Sequence, residues 1–153
     1  MPSSGFWPRR NETELMAAIR HDIGPHDSRW RRTVKTPGCL TILGVEHGIR
    51  VNGERIGVAD IIGRCRGAGI LIEVKSTSGS SAFWDATKIL AYAKIAEETE
   101  GKKYIPGVIV PQDSICINTM VAATVLKIRL FGYYYDEDAK KFFITDARTG
   151  RWY

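Results

Sequence analysis

Charged residues interrupt two short apolar segments of this chain, and no other feature constrains its fold as strongly. Residues 57–62 are Gly-Val-Ala-Asp-Ile-Ile, with the acid at Asp60, and residues 70–75 are Ile-Leu-Ile-Glu-Val-Lys, with Glu73 and Lys75. Side chains alternate between the two faces of a β-strand, so Glu73 and Lys75 point the same way. Because an unpaired buried charge is costly, we expect the acids to be paired, hydrogen-bonded or bound to a cation.

Two carboxylates that converge from neighbouring strands form an oxygen-rich site suited to a divalent cation. Mg²⁺ fits the pair Asp60 and Glu73, and Mn²⁺ can substitute for it. A lysine beside the cation, here Lys75, can orient an attacking water or stabilise the charge of a phosphate, as hydrolysis of a phosphodiester requires. The alternative interpretation is a surface hairpin in which Glu73 and Lys75 form a salt bridge.

The arrangement resembles the signature of the PD-(D/E)XK nuclease superfamily, in which an Asp ends one strand and Glu-x-Lys lies on the next. Here Asp60 is followed by a basic, glycine-bearing turn over residues 63–69 and then by Glu73-Val74-Lys75, while Ala59 replaces the family's Pro. The resemblance covers residues 10–111. It implies an α/β, restriction-endonuclease-like sandwich with a central mixed β-sheet flanked by helices. It also implies that Asp60, Glu73 and the Val74 carbonyl hold the metal, and that Lys75 positions the water.

A first helix is predicted from the N-cap Asn11 to about residue 22, before Gly24 and Pro25. Its apolar stripe consists of Leu15, Ile19 and Ile23, and Glu12 lies one turn before it on the same side. Archaeal Holliday junction resolvases, a branch of the superfamily, carry Glu-x-Glu-Leu on this helix, which matches Glu12-Thr13-Glu14-Leu15. The resemblance implies that Glu12 completes the metal site. Alternatively, Glu12 only favours the helix dipole.

Residues 26–36 form a basic stretch that we predict to be an exposed loop. Its candidate phosphate contacts are Arg29, Arg31, Arg32 and Lys35. Trp30 is a candidate for stacking on an unpaired base. The alternative is a solvated basic loop whose Trp30 packs on the core.

Two further residues are candidate DNA contacts. Ser76 opens a small polar loop after Lys75 that either holds a phosphate or caps the following helix. Lys88 and Tyr92 have the spacing of the Gln-x-x-x-Tyr motif in nucleases related to RecB, with Lys in place of Gln. The resemblance suggests that Lys88 reaches the scissile phosphate, although a solvated helical lysine is the alternative.

Hydrophobic periodicity predicts the remaining elements. Strands over 40–45 and 48–56 are expected to meet at tight turns at His47-Gly48 and Asn52-Gly53. A second helix is predicted over 82–100 with Gly101 as its stop, followed by a buried parallel strand over 105–111. A third helix is predicted from the cap Asn118 to about residue 130, buried at Val121, Ala122, Val125 and Ile128. The chain then forms a terminal strand pair from the tyrosines 133–135 and residues 142–145. We interpret the tyrosines as interface or edge-strand packing rather than as base-stacking platforms, and we expect a homodimer.

Composition limits the class of protein. With 153 residues and 44% hydrophobic content, we expect one nuclease-like domain over residues 1–153 with a short flexible lead over 1–10. A net charge of +5 favours a polyanionic partner. Three scattered cysteines give no disulfide or zinc pattern, and no segment has the character of a signal peptide or membrane span. We therefore expect a soluble cytoplasmic protein.

Together these features predict a magnesium-dependent DNA endonuclease, and the resolvase-like first helix favours a structure-selective enzyme that acts on branched DNA as a homodimer. Restriction-type cleavage is an alternative that requires base-edge contacts. A catalytically inactive nucleic-acid-binding module is the alternative from another class. RNA cleavage also stays open, since no feature of the sequence reads a 2′-hydroxyl.

Overall fold

The computed structural model describes residues 11–24, 32–76 and 80–147, except for the side chains of residues 80–85. Within these residues, three helices and seven strands follow one another. In chain order they are α1 (Glu12–Ile23), β1 (Val34–Lys35), β2 (Leu40–Val51), β3 (Glu54–Cys65), β4 (Ala68–Val74), α2 (Ser80–Glu100), β5 (Tyr104–Pro111), α3 (Ile117–Leu126), β6 (Arg129–Asp136) and β7 (Lys141–Asp146). A short 3₁₀ turn, Gln112–Ser114, precedes α3. None of the described helices is long and apolar enough to cross a membrane.

The strands form one mixed sheet in the order β1-β7-β6-β5-β4-β3-β2. β4, β5 and β6 run parallel in its centre, while β3 and β2 continue it as an antiparallel ribbon. α1 packs on one face, where Leu15 and Ile19 join a core that includes Ile72 and Val74. α2 and α3 cover the other face, where Ile89 and Ala123 pack with Leu71. The chain therefore folds as a mixed sheet between helical layers, as the resemblance implied.

The β2–β3 ribbon corrects two predicted turns. Asn52 and Gly53 do form a tight hairpin turn, with φ of 52° and 82°. However, His47 pairs with Ala59 inside a continuous strand, so the turn predicted at His47-Gly48 is wrong. The backbone instead bends at Glu46, whose φ is 53°. The chain reversal predicted over residues 63–69 is likewise shorter, because only Arg66 and Gly67 lie outside the β3–β4 ladder.

α1 begins as predicted, because the Asn11 side chain accepts a hydrogen bond from the Glu14 amide at 3.0 Å. The basic stretch that follows is only partly described. Its last part is not the predicted loop, since Val34 and Lys35 form β1 and pair with β7. The Asp22 carboxylate accepts the Val34 amide at 2.8 Å and so fixes this edge strand to α1.

α3 is shorter than predicted and buries a different face. Its N-cap is Cys116 rather than Asn118, and the helix ends where Lys127 adopts φ 58°. Thr119 and Ala123 are its buried residues. Val121 and Val125, predicted to be buried, are 55% and 72% exposed. Residues 129 and 130 belong to β6, so the predicted third helix included the beginning of a strand.

β6 and β7 form the predicted antiparallel pair. Tyr133 is buried, Tyr135 packs edge-on against Phe142, and Tyr134 stacks on Phe143 while remaining 40% exposed. Most of the side-chain surface of the three tyrosines is therefore packed within the β6–β7 pair, so less of it is exposed for a dimer interface.

A buried ion pair ties the two ends of the β6–β7 hairpin together. The Arg129 guanidinium donates to Asp146, and Cys39 Sγ lies 3.5 Å from the same carboxylate oxygen. Burial raises the pKa of Cys39, and the negative charge of Asp146 raises it further. Cys39 is therefore a poor nucleophile, in agreement with a structural role.

Tyr92 of α2 lies directly against the backbone of the ribbon at Gly57. A β-carbon at position 57 would overlap the Tyr92 ring and hydroxyl, so only glycine allows this close approach. We expect Gly57→Ala to destabilise the protein by about 1–3 kcal/mol, because Tyr92 must move out of its packed position. Urea denaturation measures this, with Gly38→Ala as the control, since a β-carbon at Gly38 meets nothing within 4 Å. Equal stability of the two variants would contradict the proposed contact.

Candidate active site

The β3–β4 ladder brings the two predicted acids together. Ile61 pairs with Ile72, so Asp60 and Glu73 occupy the next opposed positions, where the ladder ends. There the Asp60 carboxylate replaces the backbone as hydrogen-bond partner and accepts the Val74 amide at 2.8 Å. The amide and carbonyl of one strand residue point to the same side, so the Val74 carbonyl faces Asp60 as well.

Glu73 lies at the centre of the cluster and is only 6% exposed. Its Oε2 is 3.8 Å from Lys75 Nζ and 3.7 Å from Lys88 Nζ. Its Oε1 is buried and has no hydrogen-bond partner among the described residues. Lys75 is 20% exposed at its side chain and Lys88 is 50% exposed, so Lys75 is the more enclosed of the two ammonium groups. The predicted Glu73–Lys75 pair therefore exists, but in a buried setting and not on a surface hairpin.

This environment makes Glu73 an unusual carboxyl group. Burial, and next the negative charge of Asp60, raise the pKa of Glu73 to about 7, against the opposing effect of Lys88 and Lys75. Near neutral pH the site thus holds a proton for part of the time. A divalent cation would oppose this shift, because its positive charge favours the ionised form of both carboxylates.

The donors present fit a hard divalent cation. Asp60 and Glu73 supply carboxylate oxygens, the Val74 carbonyl faces the same gap, and Glu73 Oε1 is a buried acceptor with no partner among the described residues. Oxygen-only donors of this type suit Mg²⁺ or Mn²⁺ better than zinc.

The structure does not bring Glu12 into this cluster. No group of three or more His, Cys, Asp or Glu side chains in the described part of the chain could hold a metal ion. The physical reason is the placement of α1, which packs on the face of β4 that carries Ile72 and Val74. Glu73 points to the other face, toward Lys88 of α2.

The predicted DNA contacts are spread over the fold. Lys88 lies at the acids, and Ser76 is exposed just beyond β4. Arg32 and Lys35 are exposed at the far side of the sheet, where β7, β6 and β5 separate β1 from β4. Arg29, Trp30 and Arg31 lie outside the described residues.

One residue beside the site escaped the sequence analysis. Val45 pairs with Ile61 and His47 with Ala59, so Glu46 stands opposite Asp60. Its positive φ is unusual for a non-glycine residue within a strand, and its carboxylate pairs with Arg20 of α1 at 2.8 Å. The sequence around Glu46 did indicate an irregular backbone, but we interpreted it as a turn at His47-Gly48.

Comparison with known proteins gives similarity in structure only. No protein-family model matches the chain, and no curated protein matches it. An EndoMS–dsDNA2 complex matches with a TM-score of 0.53 at 13% identity, covering 86% of this chain and 48% of that one. A repair endonuclease from Pyrococcus abyssi matches with a TM-score of 0.51 at 15% identity, covering 84% and 48%.

This chain therefore spans about half the length of these two proteins. An XisH family protein from Nostoc punctiforme matches with a TM-score of 0.48 at 17% identity, covering 70% of this chain and 88% of that one. The two endonuclease structures share the mixed α/β fold of this chain, and the predicted endonuclease-like fold is thus confirmed.

Proposed function

We propose that this protein is a metal-dependent DNA endonuclease that hydrolyses phosphodiester bonds. The observation that carries the proposal is the pairing of the partly exposed Asp60 with the buried Glu73, in which one carboxylate oxygen of Glu73 lacks a partner among the described residues while two ammonium groups flank the other. A salt bridge on a surface hairpin would explain neither this burial nor the raised pKa of Glu73.

Support for DNA as the substrate comes from two sources. The chain carries a net charge of +5, which attracts a polyanion. Two structures that share its fold are a complex of EndoMS with dsDNA2 and a repair endonuclease from Pyrococcus abyssi.

In the proposed mechanism Asp60, Glu73 and the Val74 carbonyl would hold Mg²⁺, or Mn²⁺ in its place. Such a cation would supply Lewis-acid polarisation of the scissile phosphate. Lys75, which lies beside Glu73, orients the attacking water and stabilises negative charge as it develops on the phosphate. Lys88 approaches from the solvent side of the same carboxylate and contacts a phosphate oxygen of the substrate.

Structure-selective cleavage resembling that of Holliday junction resolvases is part of the proposal, as is action as a homodimer. A resolvase cuts two strands symmetrically, so two copies of the site are needed. The exposed aliphatic residues of α3, Ile117, Val121 and Val125, offer a surface for self-association. Sedimentation equilibrium tests the dimer: a mass twice that of the chain supports it, and a single-chain mass contradicts it.

A substrate panel tests the activity. Labelled four-way junction, duplex DNA, single-stranded DNA and RNA are incubated with Mg²⁺, Mn²⁺ or EDTA. We expect paired, symmetric incisions in the junction with either metal and none with EDTA. Cutting of duplex at particular sequences would replace the resolvase by a restriction-type enzyme, and cutting of RNA would replace the DNA substrate. Binding without cutting under all conditions would contradict the nuclease and favour an inactive binding module.

A further inference from the structure

Two arginines stand directly opposite each other at the tip of the β2–β3 ribbon. Arg50 pairs with Arg55 in the antiparallel ladder, and both side chains are exposed. Like charges in directly opposed positions destabilise a strand pair. Neither guanidinium has a carboxylate partner among the residues that the structure describes, so the repulsion is not relieved within this part of the protein.

Both side chains are held in place by the ribbon itself. Arg50 Nη1 donates to the Gly53 carbonyl at 3.0 Å, across the hairpin turn. The stem of Arg55 covers Gly48, where a β-carbon would lie 3.2 Å from Arg55 Cδ. Because they are positioned before any ligand binds, these guanidinium groups would lose little freedom on contacting an anion.

The arginines line one surface cleft together with Asn52 and the last turn of α2. Two acids also border this cleft, but each is already paired. Glu46 is bound by Arg20 at 2.8 Å, and Glu100 by His47 at 3.0 Å. His47 offsets the charge of Glu100 only when it is protonated, so the two guanidinium groups face at most one uncompensated carboxylate, and the cleft keeps a net positive charge.

The end of the cleft that carries Arg50 and Arg55 lies at a distance from the acids that a DNA strand can span. α2 runs from Lys88, beside Glu73, to Thr99 and Glu100 at the cleft. Eleven residues at about 1.5 Å each separate Lys88 from Thr99, which gives about 16 Å along the helix. At about 3.4 Å per nucleotide of one strand, this corresponds to about five nucleotides.

We propose that Arg50 and Arg55 bind backbone phosphates of the DNA substrate about five nucleotides from the cleaved bond. The inference rests on the proposed nuclease function and adds a second point of contact to it. Guanidinium groups suit this ligand because they donate two parallel hydrogen bonds to a phosphate. Phosphate contacts position the substrate without reading its sequence.

The dependence of DNA affinity on salt tests this contact. Fluorescence anisotropy in EDTA measures the binding of a labelled duplex by the parent, by Arg50→Gln/Arg55→Gln and by the control Arg64→Gln/Arg66→Gln. The control removes the same charge from exposed positions at the opposite end of β3. Each lost phosphate contact reduces the slope of log K against log salt by about 0.9, so we expect the ribbon variant to lose about 1.8 and the control to keep the parental slope. Equal slopes for the two variants would overturn the proposal.

A second measurement separates this inference from the nuclease itself. Hydrolysis of the small diester bis(p-nitrophenyl) phosphate requires the acids and the metal. The diester itself is too short to contact the ribbon while it is bound at the acids. We expect Arg50→Gln/Arg55→Gln to hydrolyse this diester at the parental rate. The same variant should cut DNA less efficiently because its KM for DNA is higher. If the parent binds duplex with an arginine-dependent slope but cuts neither substrate, the contact stands and the nuclease is refuted. If the parent cuts DNA and the ribbon variant cuts and binds it equally well, only the contact is refuted.

Discussion

Replacing Glu73 with Gln is expected to stabilise the metal-free protein by about 3 kcal/mol above neutral pH and to abolish its DNA cleavage. The pKa of Glu73 is raised from its ordinary value of 4.5 to about 7, chiefly by burial and by the charge of Asp60. A difference of this size corresponds to about 3 kcal/mol of unfavourable free energy once the carboxyl is ionised in the folded state. Gln has nearly the same shape and carries no charge at any pH.

The pH range of the effect follows from the two pKa values. Below pH 4.5 the carboxyl is protonated whether the chain is folded or unfolded, so ionisation costs nothing. Between pH 4.5 and about 7 the unfolded chain releases the proton and the folded chain retains it, so the stability of the parent falls as pH rises. Above about pH 7 the loss is complete.

Urea denaturation in EDTA across this range measures the effect. The parent should lose stability with rising pH relative to Glu73→Gln, and Mg²⁺ should restore stability to the parent but not to Glu73→Gln. Glu54→Gln is the matched control, since it makes the same chemical change at an exposed position of the ribbon and should follow the parent. Parallel stability curves for the parent and Glu73→Gln would contradict the burial of an ionised Glu73.

Replacing Lys75 with Ala is expected to lower the rate of DNA cleavage by about 10²–10³-fold, mainly through kcat. Its ammonium group is the more enclosed of the two beside Glu73, and an enclosed donor stabilises developing charge more strongly than a solvated one. Lys88→Ala is the comparison, because Lys88 lies equally near the same oxygen but is half exposed. We expect it to act mainly on KM.

Single-turnover and steady-state cleavage rates distinguish the two lysines. A loss in kcat for Lys75→Ala together with an unchanged affinity for DNA in EDTA supports the assigned roles. Equal losses in kcat for both variants would show that both ammonium groups stabilise the developing charge on the phosphate. An active Lys75→Ala enzyme would remove Lys75 from the mechanism altogether.

Local sequence patterns were sufficient for much of the fold. The apolar runs that carry Asp60 and Glu73 predicted adjacent strands, and these strands bring the acids together. Gly101 was predicted to end α2, and its φ of 71° and its hydrogen bond to the Glu97 carbonyl at 3.0 Å show why glycine serves there. These features depend on residues close in sequence, where propensity and periodicity act directly.

Other features depend on contacts that periodicity does not specify. α3 is apolar on nearly every side, so its sequence could not indicate that Ala123 rather than Val125 faces the sheet. Its end at Lys127 has no glycine to mark it. At the site, the approach of Lys88 to Glu73 follows from how α2 packs on the sheet. The structure likewise does not bring Glu12 to the acids, because α1 packs on the opposite face of β4.

The most direct test of the proposed site is DNA cleavage by the parent and Asp60→Asn proteins, measured side by side with Mg²⁺ and with EDTA. Asn retains an oxygen that can accept the Val74 amide, so the variant should fold while losing the charge that holds the cation. The proposed function requires that the parent cut DNA with Mg²⁺, that EDTA stop it, and that Asp60→Asn be inactive with either. Cleavage by Asp60→Asn at the parental rate, or by the parent in EDTA, would contradict it.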